Sequence, residues 1–117
     1  MSVGVLIEHR VRQGCRDEAR AVWERLLRPA IEANDAHEAY SYMFDAEDPD
    51  VIRAFQQYSD AESASAFLNT PAYGAYVAEV EGLLSGPPHV VRTDVIWTKT
   101  HKQFSTDDLP PRNPLTD

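Results

Sequence analysis

The sequence predicts an α+β fold of the ferredoxin-like plan, in which a four-stranded antiparallel sheet carries helices on one face. Segments with apolar residues at every second position are interleaved with segments whose apolar residues recur every three or four positions. Glycine, proline and helix-capping residues separate these segments and set the order βαββαβ, which is typical of this plan. The chain has 117 residues, of which 43% are hydrophobic, so it suits one domain with a core of its own.

The first strand and the first helix lie on either side of Gly14. Residues 3–11 alternate between β-branched and more polar residues, which predicts a strand that ends before this glycine. Between residues 15 and 31 the apolar residues recur at the spacing of an amphipathic helix. Pro29 cannot donate an amide hydrogen bond and clashes with the preceding turn, so we expect the helix to kink or restart near Arg28.

A hairpin follows the first helix. Residues 39–45 place three aromatic side chains on one face and predict the second strand. The acidic, proline-containing segment 47–50 is typical of a turn. Val51 to Tyr58 predicts a third strand, which is antiparallel to the second because the connection is short.

Two further helices and a last strand complete the domain. The segment 59–62 resembles a capping box with Ser59 as the cap, and Thr70 followed by Pro71 starts another helix. Residues 90–99 predict the fourth strand. We therefore expect one domain over residues 1–99, with the proline-containing segment 100–117 as an irregular tail or a dimer arm.

The uncovered face of such a sheet is apolar whichever way the strands face. One choice exposes Leu6, Met43 and Ile96, and the other exposes Ile7, Tyr42 and Val95. Monomers rarely expose a large apolar face, so we expect a homodimer that packs sheet against sheet.

Composition excludes several classes of function. The net charge of −8 disfavours nucleic acid as a partner. There is no long apolar run and no basic leader, so we expect no membrane association and a cytoplasmic location. A single cysteine and the scattered His37, His89 and His101 give no pattern of metal ligands, and no glycine-rich loop offers a phosphate site. The sequence therefore predicts neither a metal nor a nucleotide cofactor.

Several segments together resemble the antibiotic biosynthesis monooxygenase (ABM) domain family. They are the run 48–60 with Ala64, Phe67, Thr70, Pro71 and Tyr73, the segment Val11 to Gly14, and the segment Gly86 to Pro88. The resemblance covers residues 3–99 in order and spacing. It implies a dimeric α+β barrel with a cavity between the sheet and the helices of each subunit. It also implies oxygenation of quinol- or anthrone-like aromatics without metal or flavin, an activity of many members, whereas others degrade haem or have no known activity.

The chain departs from the family pattern at several site positions. Where the third strand commonly ends in Glu-x-Trp, this chain has Gln56 and Tyr58. Two histidines common on the following helix correspond to Phe67 and Ala72, and the axial histidine of the haem-degrading branch falls near Tyr76. These departures leave the fold expectation intact and leave the reaction open.

The candidate catalytic group consists of His9, Tyr58 and Gln56. His9 is the only histidine that we expect inside a regular element, and it or a bound water is the candidate base. Tyr58 takes the family's aromatic position and, with Gln56, could bind a developing oxyanion. The alternatives are a packed histidine and an amphipathic core tyrosine. A second set could form the aromatic wall of a substrate cavity or could be plain core: Tyr42, Phe44, Phe67, Tyr73 and Trp97.

The sequence thus favours a cofactor-independent monooxygenase that acts on a small aromatic or polyketide-like molecule. Another reaction on the same fold, such as a cyclase or isomerase reaction, needs only a shaped cavity and one acid/base group. A third hypothesis is a non-catalytic dimer that binds a small molecule and has lost the family's histidines. Oxygen uptake distinguishes the first hypothesis from the other two, and binding without turnover favours the third.

Overall fold

The structure is a computed structural model, and it describes residues 1–99. Its elements are β1 (Val3–Arg10), α1 (Arg16–Leu26), α2 (Arg28–Ala33), β2 (His37–Phe44), β3 (Val51–Tyr58), α3 (Ala61–Leu68), α4 (Pro71–Val80), a 3₁₀ turn (Glu81–Leu83) and β4 (His89–Asp94). The four strands form one antiparallel sheet in the order β2-β3-β1-β4. The fold class expected from the sequence is confirmed. The predicted tail and arm, residues 100–117, lie outside the described residues.

The register of β1 against β3 decides which side chains meet the helices. Val3 pairs with Tyr58, and His9 pairs with Ile52. Because paired residues of antiparallel strands point to the same face, these four side chains share the helix-covered face of the sheet. The core lies there, and its largest fully buried side chains are those of Tyr58, Leu27, Ile52 and Val11.

The opposite face of the sheet is open in the single chain. Leu6, Met43 and Val91 lie on it, and each keeps 40% or more of its surface exposed. They come from three different strands and alternate with the residues that face the core. The face therefore carries an apolar patch around Leu6 and Val91, and the Glu8–Arg53 ion pair lies on the same face next to Met43.

Of the two predicted N-terminal helix caps, the one of α4 is confirmed and the one of α3 is wrong. Thr70 accepts a hydrogen bond from the Tyr73 amide at 3.3 Å, with Pro71 in the first turn, as expected. The expected Ser59 cap is wrong, because Asp60 accepts from the Ser63 amide at 2.7 Å. The Ser59 amide instead donates to the Ala36 carbonyl at 3.1 Å, which extends the contact between the β2 and β3 segments.

Two strand boundaries also differ from those predicted. β2 begins at His37 and not at residue 39, so the expectation that His9 is the only histidine in a regular element is wrong; His89 likewise begins β4. β4 ends at Asp94 because that residue pairs with Val3, where β1 begins. Beyond it one backbone bond, from the Val95 amide to the Ser2 carbonyl at 3.0 Å, continues the contact.

The break in the first helical segment is as predicted. α1 ends at Leu26, and α2 restarts at Arg28 with Pro29 in its first turn, where a missing amide hydrogen costs nothing. Within residues 1–99 no helix has the length and apolar character needed to cross a membrane.

Candidate functional site

Two cavities lie on the helix-covered side of the sheet. The first, named the Tyr58 cavity, has a volume of about 350 Å³. Its walls come from β1, β3, α3 and β4, and the lining includes Val3, Val5, Gln56, Tyr58, Ala64, Leu68, Val90, Arg92 and Asp94. The second, named the His9 cavity, has a volume of about 640 Å³ between α4 and the segment before β4. Most of its lining is apolar or aromatic, and the residues include His9, Tyr73, Tyr76, Val77, Val80, Leu84, Pro87 and Pro88.

Tyr58 and Gln56 form a buried polar pair at the wall of the Tyr58 cavity. They are two residues apart on one face of β3, and they are 1% and 2% exposed. The Tyr58 hydroxyl donates a hydrogen bond to Gln56 Oε1. Burial raises the pKa of Tyr58, so the phenol stays protonated at neutral pH. The bond uses the carbonyl end of Gln56, so both amide hydrogens remain for other acceptors.

His37 lies directly beside this pair. Its ring packs on Tyr58 with centroids 4.4 Å apart and meets the Phe67 ring edge-on at 4.5 Å. Burial lowers the pKa of His37, and the neighbouring Gln56 side chain opposes part of that shift. The ring is therefore neutral at neutral pH. Nε2 of His37 is buried and has no hydrogen-bond partner within residues 1–99.

Sequence reasoning did not select His37, and a β-bulge explains why. The β2–β3 register shifts between His37 and Ala39, so His37 pairs with Tyr58 while Tyr40 pairs with Gln56. An extra residue in one strand reverses the parity of the side chains before it. Counting by twos from Tyr40 therefore puts His37 on the wrong face. The sequence did contain one indication that β2 begins earlier than residue 39: Asn34, a residue type that favours turns, stands just before the strand.

His9 lies in the second cavity. Its Nδ1 is buried without a hydrogen-bond partner in the described part of the chain. Burial lowers the pKa of His9, which keeps the imidazole neutral. A neutral imidazole of this kind can accept or donate one proton inside a largely apolar cavity.

The structure separates His9 from the other two candidate catalytic residues. His9 and Tyr58 are paired with Ile52 and Val3, which places them six residues apart along the strand pair. At ~3.3 Å per residue the separation is roughly 20 Å. Tyr58 and Gln56 therefore share a site with His37, and His9 belongs to a different one.

The candidate aromatic residues fall into three places. Phe67 is 4% exposed and contacts His37 beside the Tyr58 cavity. Tyr73 lines the His9 cavity, with its ring 6.2 Å from that of Phe67. Trp97 is 79% exposed and lines neither cavity.

Tyr42 and Phe44 pack against the first helix. The Tyr42 ring stacks on Trp23 with centroids 4.2 Å apart, and the Arg16 guanidinium lies 4.1 Å from the centroid of the Phe44 ring. Both residues border a surface groove beside α1 and lie outside the lining of the two cavities. Their contacts are those of core residues.

The described residues offer no cluster for a metal. Over residues 1–99, no three side chains of histidine, cysteine, aspartate or glutamate come together at ligand spacing.

Comparison with known proteins identifies the family. The family model described as antibiotic biosynthesis monooxygenase (ABM) matches residues 2–79. The chain belongs to the ABM family. The matched range contains β1 through most of α4, and so it includes His9, His37, Gln56 and Tyr58.

Solved structures share the ABM fold of this chain. Rv0793 from Mycobacterium tuberculosis is 22% identical, with a TM-score of 0.76, over 86% of this chain and 100% of that one. A candidate antibiotic biosynthesis monooxygenase from Nitrosomonas europaea is 15% identical, with a TM-score of 0.75, over 83% and 100%. Another from Caulobacter crescentus is 16% identical, with a TM-score of 0.77, over 82% and 91%. No curated protein matches the chain.

Proposed function

We propose that this ABM-family protein is a cofactor-independent monooxygenase for a small quinol-, anthrone- or polyketide-like aromatic substrate. The buried Tyr58–Gln56 hydrogen bond at the wall of an apolar cavity is the observation that carries the proposal. A flat aromatic molecule suits walls that combine Val3, Val5 and Leu68 with the buried polar pair. Arg92 and Asp94 add charged groups to the lining.

The proposed reaction uses the substrate as its own reductant. An anthrone-like carbon acid loses a proton, and its carbanion passes an electron pair to O₂, so that a C–O bond forms and a hydroperoxide results. Loss of water then leaves a carbonyl group, so O₂ supplies one oxygen to the product and one to water. The protein contributes hydrogen bonds to the developing oxyanion and a cavity with little water.

The residues of the Tyr58 cavity divide these tasks. The Gln56 amide nitrogen is the donor to the substrate oxyanion, because its carbonyl end is already bound by Tyr58. Tyr58 fixes the carboxamide and covers the reacting atoms with an aromatic ring. His9 is too far away to act on the same atoms, and the Asp94 carboxylate in the lining of this cavity is the group that takes the substrate proton.

The proposal includes a homodimer formed through the open face of the sheet. Leu6, Met43 and Val91 form an apolar surface on three strands. Face-to-face packing of two such sheets would bury this surface. The cytoplasmic location expected from the sequence stays a prediction, as does the absence of nucleic-acid binding.

His9 favours a second candidate function. A neutral imidazole with one unpartnered buried nitrogen, in a cavity of about 640 Å³, meets the needs of a cyclase or isomerase. Such a reaction requires a shaped cavity and one group that accepts and returns a proton.

Oxygen consumption tests the proposed function. Full-length protein freed of metal and flavin is mixed with a panel of anthrones, quinols and catechols in an oxygen electrode. Substrate-dependent uptake that persists with chelator supports the oxygenase. Isomerised or cyclised product without uptake supports the second candidate, and ligand binding without any turnover supports a non-catalytic dimer.

A further inference from the structure

The tautomer of His37 follows from two hydrogen bonds of the Asn34 side chain. The Ala36 amide donates to Asn34 Oδ1 at 3.3 Å, which identifies that end of the Asn34 side chain as oxygen. The other end, Nδ2, lies 2.8 Å from His37 Nδ1. A carboxamide nitrogen only donates, so Nδ1 must be the acceptor. The neutral ring therefore carries its proton on Nε2.

The Nε2 proton lies in the interior with no partner in the described part of the chain. Leaving a buried donor unsatisfied is costly, which favours its pairing with an acceptor nearby. Gln56 is a polar neighbour of this ring, since its Oε1 is bound by the Tyr58 hydroxyl and the Tyr58 ring packs on the imidazole with centroids 4.4 Å apart. Its Oε1 has two lone pairs, and the Tyr58 hydroxyl occupies one of them.

Aromatic packing restricts the direction in which Nε2 points. Tyr58 lies against one side of the imidazole, and Phe67 meets it at an interplanar angle of 82°. Together with the Asn34 hydrogen bond, these contacts hold the ring against rotation. The ring is therefore held against Tyr58, whose hydroxyl is bound to the Gln56 carboxamide.

We propose that His37 is a positioning residue of the Tyr58 cavity, and that a small shift of the Gln56 carboxamide lets the His37 Nε2–H donate to the second lone pair of Gln56 Oε1. With Tyr58 and His37 both bound to its oxygen, the carboxamide is held with its NH₂ group toward the substrate. His37 acts through Gln56 and makes no contact with the reacting atoms. This inference rests on the function proposed above for the Tyr58 cavity.

The first test is the tautomer, measured by ¹⁵N NMR of histidine-labelled full-length protein without any substrate. We expect His37 to have a protonated Nε2 and a bare Nδ1 at pH 7. The substitution Asn34→Asp replaces the donor with a carboxylate that only accepts, so Nδ1 gains a proton. A protonated Nδ1 in the parent, or a His37 spectrum unchanged by Asn34→Asp, overturns the proposal.

The second test follows the carboxamide resonances of Gln56. The substitution His37→Phe keeps an aromatic ring against Tyr58 and Phe67 but removes the donor, so these resonances should shift. His37→Gln restores an N–H donor and should return them toward the parent position. Ala75→Lys, at an exposed position of α4, is the control. Gln56 resonances that are the same in His37→Phe and in the parent contradict the proposal.

Activity gives a third measurement that separates the two proposals. Once a substrate that the protein oxidises is known, His37→Phe should lower kcat roughly tenfold to a hundredfold with little change in KM. The Gln56 amide donor is then misplaced but still present. An equal loss in His37→Gln and His37→Phe overturns the positioning role. An absence of oxygen uptake by the parent contradicts the proposed oxygenase alone, because both NMR tests use no substrate.

Discussion

The Tyr58 hydroxyl gives its only proton to Gln56, two residues earlier on the same face of β3. The phenol therefore meets a cavity ligand as an acceptor, and the Gln56 amide is the donor. This division distinguishes the effects of removing each group.

Removing the donor should affect turnover more than removing the phenol. Gln56→Leu should lower kcat for oxygen uptake by about 10²–10³, the usual effect of losing an oxyanion donor. Tyr58→Phe should lower kcat less, and it should cost about 1–3 kcal/mol of stability because the Gln56 oxygen loses its bond. Steady-state kinetics and urea unfolding measure both. A larger kcat loss in Tyr58→Phe than in Gln56→Leu contradicts the assignment.

Gly4 is required by the close approach of β1 to β4. A Cβ atom at this position would overlap the Thr93 Oγ1 atom and lie 3.2 Å from the Phe55 ring. Gly4→Ala should destabilise the fold by roughly 1–3 kcal/mol, a typical cost of overpacking. In a double-mutant cycle Thr93→Ala should recover part of the loss, since it removes the overlapping atom. Equal costs of Gly4→Ala in the two backgrounds argue against this contact.

Protonation of His9 should make the fold less stable in mild acid. Burial lowers its pKa below the ordinary 6.5, so the unfolded chain binds a proton more readily than the folded one. The free energy of unfolding should therefore fall as the pH drops below about 6.5 and level off below the folded pKa. His37 acts in the same direction.

Substitution separates the contribution of His9 from the rest. His9→Leu should flatten the decline in stability between pH 6.5 and the folded pKa, and chemical unfolding across that pH range measures it. The carboxyls of Asp45, Asp48 and Asp60 have lowered pKa values, so they act near and below pH 3.8 and leave this window clear. A pH dependence that is identical in His9→Leu and the parent contradicts the buried neutral histidine.

The open sheet face should form the dimer interface. Light scattering behind a sizing column should give about twice 13.2 kDa at micromolar concentration. Leu6→Lys places a charge in the middle of that face and should yield a monomer. Ala75→Lys adds the same charge on an exposed position of α4 and should leave the dimer intact. A monomeric parent removes the premise.

The sequence predicted the positions of helices and strands better than it predicted which side chains lie next to each other. Periodicity located β1 and β3, because alternation is a local property of each strand. The distance between His9 and Tyr58 depends on the register of β1 against β3, which periodicity does not contain. The family resemblance supplied the cavity and Tyr58, yet the bulge after His37 hid the histidine that meets this tyrosine. What sequence reasoning missed is non-local pairing and one irregular residue.

The distance between Tyr58 and His9 along the β1–β3 pair has a consequence for how the protein can evolve. Side chains that far apart with no shared partners contribute to stability additively, as a rule. Substitutions that leave Phe67 and Tyr73 in place, whose rings lie 6.2 Å apart between the two compartments, should therefore reshape one compartment without changing the other. If both compartments bind ligands, selection could alter each of them separately within one small domain.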